Sequence, residues 1–149
     1  NPYFKCQITA QGKHYKLSLK ENRGILTLRE LQGLPISELD LSGTSFTTLK
    51  YLDGLPLKKL NLANSNVADL NFLWSCKNLE ELDIRNSRVY DLDKLQYTSI
   101  HTLILGSNPV NLFSLKYCKT LKKIILPRGV YKQVYLDAMQ LNHLIEYSN

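Results

Sequence analysis

Gly33-Leu34-Pro35-Ile36-Ser37-Glu38-Leu39-Asp40-Leu41-Ser42-Gly43-Thr44 carries a Leu-x-Leu pair followed, five positions after its first leucine, by a small polar residue. The next pair, Leu60-Asn61-Leu62, has Ser65 in the same place. The series extends along the chain through Leu17-Ser18-Leu19, Leu82-Asp83-Ile84, Leu103-Ile104-Leu105, Ile124-Ile125-Leu126 and Ile145-Glu146-Tyr147. First residues of successive pairs stand 22, 21, 22, 21, 21 and 21 positions apart. A period this regular marks a repeat array, in which each unit is one supersecondary piece that buries its apolar face only by stacking on its neighbours.

Each repeated position has a physical task. Alternation in Leu-x-Leu sends the leucines to one face of a strand and the middle residue to the other. The polar residue in the fifth place, at Thr44, Ser65, Ser87 and Asn108, is suited to bond backbone groups where the chain turns out of the strand. Apolar Phe46, Val67, Val89 and Val110 follow two places later, and pairs such as Leu70 with Leu73, or Leu112 with Leu115, bring the return segment back to the core. The strands are therefore expected to form one parallel sheet.

The sheet ends need caps. Phe4-Lys5-Cys6-Gln7-Ile8 alternates, and Gln11-Gly12-Lys13 then leads to Tyr15, Leu17 and Leu19, which reads as a β-hairpin feeding the first repeat. At the other end Pro127 and Gly129 interrupt the pattern. Val130, Val134, Ala138 and Leu141 recur at helical spacing before a final strand over 144–147. The expected organisation is one unit over 1–149, with a hairpin cap over 1–16, repeats over 17–126 and a C-terminal cap over 127–149.

Segments such as 33–44, and Gly54-Leu55-Pro56-Leu57-Lys58-Lys59-Leu60-Asn61-Leu62, resemble the repeats of bacterial leucine-rich-repeat proteins. They are similar in particular to repeat arrays attached to some bacterial serine/threonine protein kinases, in which a Gly-(Leu or Met)-Pro-Leu-x-x-Leu-x-Leu-Ser-Gly-Thr pattern recurs. The resemblance covers about residues 17 to 147. It implies an α/β, right-handed leucine-rich-repeat solenoid with a curved parallel sheet and short helical or irregular returns, used for protein binding. The chain has no kinase motif of its own: Gly-rich loop, His-Arg-Asp loop and Asp-Phe-Gly are missing.

Composition sets further bounds. A chain of 149 residues with 44% hydrophobic and 21% charged residues is ordinary for a globular protein, and no apolar run approaches the roughly 20 residues of a membrane span. The start, Asn1-Pro2-Tyr3-Phe4-Lys5-Cys6, has neither an initiator Met nor the shape of a signal peptide, so a processed piece of a longer protein is expected. Three cysteines, Cys6, Cys76 and Cys118, fit no metal spacing, and an odd count favours free thiols in a reducing compartment such as the cytoplasm. Cys76 and Cys118 fall at equivalent repeat positions two strands apart, about 10 Å, beyond disulfide reach. His14, His101 and His143 are isolated, and no nucleophile, zinc or phosphate-loop pattern accompanies them. No enzyme, cofactor or metal is expected.

Function is then read from what the sheet displays. Before each pair stand Lys16, Glu38, Lys59, Glu81, Thr102 and Lys123; in the middle stand Ser18, Asp40, Asn61, Asp83, Ile104 and Ile125; after it come Lys20, Ser42, Ala63, Arg85, Gly106 and Pro127. The Lys and Glu alternation allows opposite charges to meet across strands. Ile104 and Ile125 put apolar side chains where polar ones are expected, an arrangement that often marks a binding surface unless the C-terminal turn covers it. The expected partner-binding set is Glu38, Asp40, Lys59, Asn61, Glu81, Asp83, Arg85, Ile104, Lys123 and Ile125.

Charge is also graded along the chain. Residues 94–136 hold seven basic residues and no acid, six of them forming a candidate basic patch of Lys116, Lys119, Lys122, Lys123, Arg128 and Lys132. Such a patch attracts acidic protein, nucleic acid or anionic lipid through its field. Tyr117 and Tyr131 alone give little base-stacking support, so nucleic acid is not favoured. A monomeric module that binds a protein through the concave sheet face is the expectation, with the basic third or a purely structural spacer as the alternatives.

Overall fold

The seven Leu-x-Leu pairs become seven neighbouring strands. In the computed structural model, which describes residues 5–24 and 27–148, a single eight-stranded sheet runs in chain order: β1 (Gln7–Gln11), β2 (His14–Ser18), β3 (Ile36–Asp40), β4 (Lys59–Asn61), β5 (Glu81–Asp83), β6 (Thr102–Ile104), β7 (Lys123–Pro127) and β8 (Ile145–Ser148). β1 and β2 are antiparallel and every later pairing is parallel. Register follows the repeat: Leu17, Leu39, Leu60, Leu82, Leu103, Ile124 and Ile145 are successive neighbours. All but Ile145 are buried, so the core is a stack of leucine rungs behind the sheet.

The returns are single 3-10 turns, at Arg29–Leu31, Lys50–Leu52, Asn71–Trp74, Asp93–Tyr97, Phe113–Tyr117 and Asn142–Leu144. A 21-residue repeat leaves room for little more than one turn, which closes with i+3 bonds such as Leu52 N–H to Leu49 O (2.9 Å) and Leu115 N–H to Leu112 O (3.1 Å). After the first two turns, Leu31-Gln32-Gly33-Leu34 and Leu52-Asp53-Gly54-Leu55 bend as type II turns. Gln32 and Asp53 sit at φ −59° and −56° with ψ 128°, and Gly33 and Gly54 take φ 76° and 75°.

The strand exits also repeat. Glu21, Gly43, Asn64 and Asn86, each four positions after the first residue of its pair, adopt left-handed φ of 62°, 68°, 57° and 54°. The next residue secures the bend: the Thr44 hydroxyl donates to Leu41 O (2.6 Å) and that of Ser87 to Ile84 O (2.9 Å). Ser65 accepts from Val67 N–H (3.4 Å), while Asn108 accepts from Asn86 N–H (3.1 Å) in the preceding repeat. The first unit has its own member at this place, Asn22. Buried Asn22 donates to Leu19 O (2.8 Å) and accepts from Lys5 N–H (2.9 Å), pinning the segment before β1 to the first exit.

Both caps differ in detail from expectation. The hairpin is present, but β1 begins at Gln7, so it takes in only Gln7 and Ile8 of the alternating segment, whose Phe4 lies outside the described residues. Its second arm, β2, is itself the first repeat strand. Gly12, at φ 62° in the first of two loop positions, supplies the conformation that a type II′ hairpin requires. At the C-terminus one helix carrying Val130 to Leu141 does not form. Helix α1 covers only Gln133–Ala138, because Gln140 turns left-handed at φ 56° and ends it. Leu136 and Leu141 close the core from either side of that break, while the side chains of Val134 and Ala138 lie outside the described part. Tyr131 ties this cap down: its hydroxyl accepts from Val110 N–H (2.8 Å), and its ring stacks on Tyr135 at 6.0 Å. The last strand is Ile145–Ser148 rather than 144–147, since Leu144 finishes a 3-10 turn.

Candidate functional site

The side of the sheet opposite the leucine rungs is the candidate surface. Strand pairing lines up Lys16, Glu38, Lys59, Glu81, Thr102 and Lys123 in one row, and Ser18, Asp40, Asn61, Asp83, Ile104 and Ile125 in the next. Between the rows runs a shallow cleft of about 230 Å³, bordered by Glu38, Asp40, Asn61, Glu81 and Ile104 among others. Arg85 lies just past the end of β5.

The first row pairs within itself. Lys16 meets Glu38 at 3.0 Å and Lys59 meets Glu81 at 3.6 Å; Lys123 reaches Glu146 on β8 at 2.6 Å. All are solvent-exposed on at least one side, so each contributes up to about 1 kcal/mol. Burial works to raise the Glu38 carboxyl, but the hydrogen bond and charge of Lys16, with help from Gln11 and Lys59, hold it below its ordinary range.

The second row does a structural job that the alternation pattern hides. Asp40 accepts from Ser42 N–H (2.9 Å), Asn61 from Ala63 N–H (3.0 Å) and Asp83 from Arg85 N–H (3.0 Å), and Ser18 makes a longer version to Lys20 N–H (3.4 Å). Each side chain thus caps the backbone two residues on, in an Asx- or Ser-type turn at the strand exit. Asp83 is the most committed: it is 6% exposed, and Arg85 adds Nε and guanidinium bonds down to 2.6 Å. Hydrogen bonding to this carboxylate, against the pull of desolvation, raises the Arg85 guanidinium above its ordinary value.

The capping ladder stops at β6. Ile104 and Ile125 are register neighbours, both half-buried, and neither can accept a hydrogen bond. β8 lies alongside and sets Glu146 beside Ile125. At the second of these sites the residue two places on is Pro127, which has no N–H to satisfy. The sheet thus changes from a polar, internally bonded surface to an apolar one within one strand spacing.

The candidate basic residues do not gather on one face. Lys123 belongs to the sheet row, whereas Lys116 sits on the opposite, return side with its ammonium 3.6 Å from the Phe113 ring centre. Arg128 follows β7 and lies over the Tyr147 ring at 4.7 Å, and Lys132 precedes α1. Lys119 and Lys122 lie on the link between the Phe113–Tyr117 turn and β7. Among the described residues, no three His, Cys, Asp or Glu side chains converge as metal ligands would. Cys76 and Cys118 are buried free thiols, both pushed up to about 11 by desolvation, and Cys6 is an exposed one. Among the described residues no helix is long and apolar enough to cross a membrane.

No protein-family model matches the sequence, and no curated protein sequence matches it. Solved structures do. An internalin (inlF) from Listeria monocytogenes superposes over 90% of this chain with a TM-score of 0.72 at 22% identity, and an internalin C2 (inlC2) from the same species over 87% with a TM-score of 0.54 at 23% identity. This chain spans 42% of the first and 69% of the second. Identities this low speak for architecture alone, and together with the strand ladder they establish the chain as a leucine-rich-repeat solenoid.

Proposed function

We propose that this chain is a protein-interaction module that receives a protein partner on the concave sheet face, with the polar strands β3 to β5 orienting the partner and Ile104 and Ile125 supplying the apolar contact. The observation that carries this reading is the break in the capping ladder. At four strands the middle residue bonds the exit backbone, and at two adjacent strands that role is given up for a half-buried isoleucine. Folding does not require the exchange. A partner that buries both side chains does, since desolvated apolar anchors ringed by polar groups are what carry interface energy.

Glu38, Lys59 and Glu81 then act as a register of charges that a partner engages by replacing or extending the existing pairs, and Lys123 and Arg85 border the apolar end. Asp40 and Asp83 serve mainly by shaping the surface. The motif likeness of 33–44 to kinase-attached arrays supports placing the chain in a larger bacterial protein. Its free thiols favour a reducing compartment. The unit is taken as one body over 1–149, and no catalytic role is assigned to it.

The test is affinity capture from an extract of the source cells with wild-type chain, Ile104→Glu, Glu81→Lys and a return-face control, Lys94→Glu, followed by titration calorimetry with the purified interactor. Binding retained by Lys94→Glu and lost in Ile104→Glu, with circular dichroism unchanged, supports the concave face. An interactor indifferent to Ile104 and Glu81 removes it.

A further inference from the structure

We propose that two copies of this chain associate through the free edge of β1, antiparallel about a two-fold axis at Thr9, joining their sheets into one. Among the described residues β1 is the first strand of the sheet and pairs on one side only, with β2. Solenoids ordinarily end in capping units with a polar outer surface, and edge strands are blunted with charge or proline. This edge has neither: Gln7-Ile8-Thr9-Ala10-Gln11 is uncharged, free of proline and exposed along its whole length.

The geometry of the edge is self-complementary. Tyr15 directs its N–H to Pro35 O on the β3 side (2.8 Å), so by alternation His14, Lys16 and Ser18 face β1. Their register partners Gln11, Thr9 and Gln7 therefore spend their backbone groups on β2, and Ile8 and Ala10 point theirs outward. A two-fold at Thr9 sets Ile8 opposite Ala10 of the second copy as a hydrogen-bonded pair, twice, and Gln7 opposite Gln11. The strand reads nearly the same in both directions, as an isologous interface requires.

Side chains add a second reason. Ile8 lies across from core residue Leu17, hence on the core side of the sheet, yet it is 66% exposed. Beneath it opens an apolar groove of about 530 Å³, lined among the described residues by Cys6, Ile8, Tyr15, Leu31 and Leu34. Pairing brings Ala10 of the second copy against Ile8 and extends the apolar layer across the axis. Lys5 and Lys13 lie just beyond the two ends of the strand, so each end of the pairing brings like charges near one another, a cost that salt screens. Association is therefore expected to tighten as ionic strength rises. The monomer expected from the sequence gives way, in this reading, to a reversible dimer.

Sedimentation velocity over a concentration series tests the proposal in a Cys6→Ser background, which excludes an adventitious disulfide. A dimer that grows with concentration and with salt is expected. Ala10→Pro removes only an outward N–H, so it should weaken association by roughly tenfold or more, through two lost hydrogen bonds in the symmetric pair, while leaving the melt unchanged. Independently, Thr9→Cys in that background places two thiols at the axis, where facing Cα atoms of a non-hydrogen-bonded pair lie about 4.5 Å apart, within disulfide range. It should cross-link under mild oxidant far faster than Lys13→Cys. A chain that stays monomeric at every concentration and salt, a folded Ala10→Pro that dimerises as wild type does, or equal cross-linking at positions 9 and 13 each overturns it.

Discussion

Asp83 and Arg85, two residues apart at the exit of β5, hold each other through four hydrogen bonds: the Arg85 backbone N–H and its Nε both reach Oδ1, and Nε and Nη2 reach Oδ2. Only the arginine is exposed. The pair explains why a charge can sit in the interior of the array, because a buried carboxylate is tolerated when its oxygens are occupied.

The two side chains are therefore not interchangeable. Asp83→Ala is expected to lower unfolding free energy by about 1–3 kcal/mol, since it strips the exit cap from Arg85 N–H and the guanidinium partner at once. Arg85→Ala leaves the backbone cap intact and should cost less. Urea denaturation of the two single variants and the double variant reads this ordering, and a double variant as unstable as the sum of the singles would show that the two residues do not act as a pair.

Glycines separate two kinds of constraint. A Cβ on Gly106 would stand 2.8 Å from Asn86 N and 3.1 Å from Arg85 Cα, both backbone atoms that cannot yield, so Gly106→Ala is expected to destabilise by about 1–3 kcal/mol through overpacking. Gly54 has open space around it and only a φ of 75° to protect. Gly54→Ala should cost about 1–2 kcal/mol, the ordinary penalty of a left-handed alanine. Crystal structures of the two variants distinguish the mechanisms: β5 and β6 shift apart in the first, and only the turn changes in the second.

The buried thiols set an alkaline limit. Desolvation raises Cys76 and Cys118 from an ordinary value near 9 to about 11, so between those pH values the unfolded chain releases protons that the folded chain keeps. The unfolded state then binds fewer protons, and stability falls as pH rises. The contribution is complete below about pH 9 and lost progressively to about pH 11, with a slope of at most about 1.4 kcal/mol per pH unit for each thiol. Cys76→Val with Cys118→Val should flatten the chemical-denaturation midpoint against pH in that window. Disulfide-exchange reagents should label Cys6 at once and the other two only on unfolding.

The strand ladder was legible because period and alternation are local properties: a slip of one residue at Leu60 or Leu82 would expose a leucine rung, so register follows from pattern. The caps were less legible. Spacing alone cannot show that Gln140 turns left-handed and cuts the C-terminal helix short, since any non-Gly residue in that conformation is unexpected. The candidate surface was half legible. Its rows were placed by register, but the use of Asp40, Asn61 and Asp83 as backbone caps depends on side-chain geometry. One signal was available: three of the four middle residues from β2 to β5 are Asp or Asn, the types that bond their own backbone two residues on. Asn22 carried a similar signal, standing in the fifth place of the first repeat.

That distinction between capping and display yields the sharpest test of the interaction surface. Ile104 is the register neighbour of Asp83, and the residue two places after it, Gly106, carries a backbone N–H in the same position as those of Ser42, Ala63 and Arg85. Ile104→Asn restores the acceptor that β2 to β5 use. The gain of a cap offsets the loss of a half-buried isoleucine, so the net change in unfolding free energy should stay within about 1 kcal/mol. At Ile125 the same substitution has no N–H to meet, because position 127 is proline, and Ile125→Asn should cost more. Partner binding should respond in the opposite sense to this stability ordering, weakening at least as much for Ile104→Asn, the side chain that borders the cleft, as for Ile125→Asn. Thermal melts paired with calorimetric titration separate the two effects. If Ile104→Asn unfolds the chain, the isoleucine is there for the core rather than for a partner. If it leaves both folding and binding intact, the apolar end of the sheet is not the docking surface.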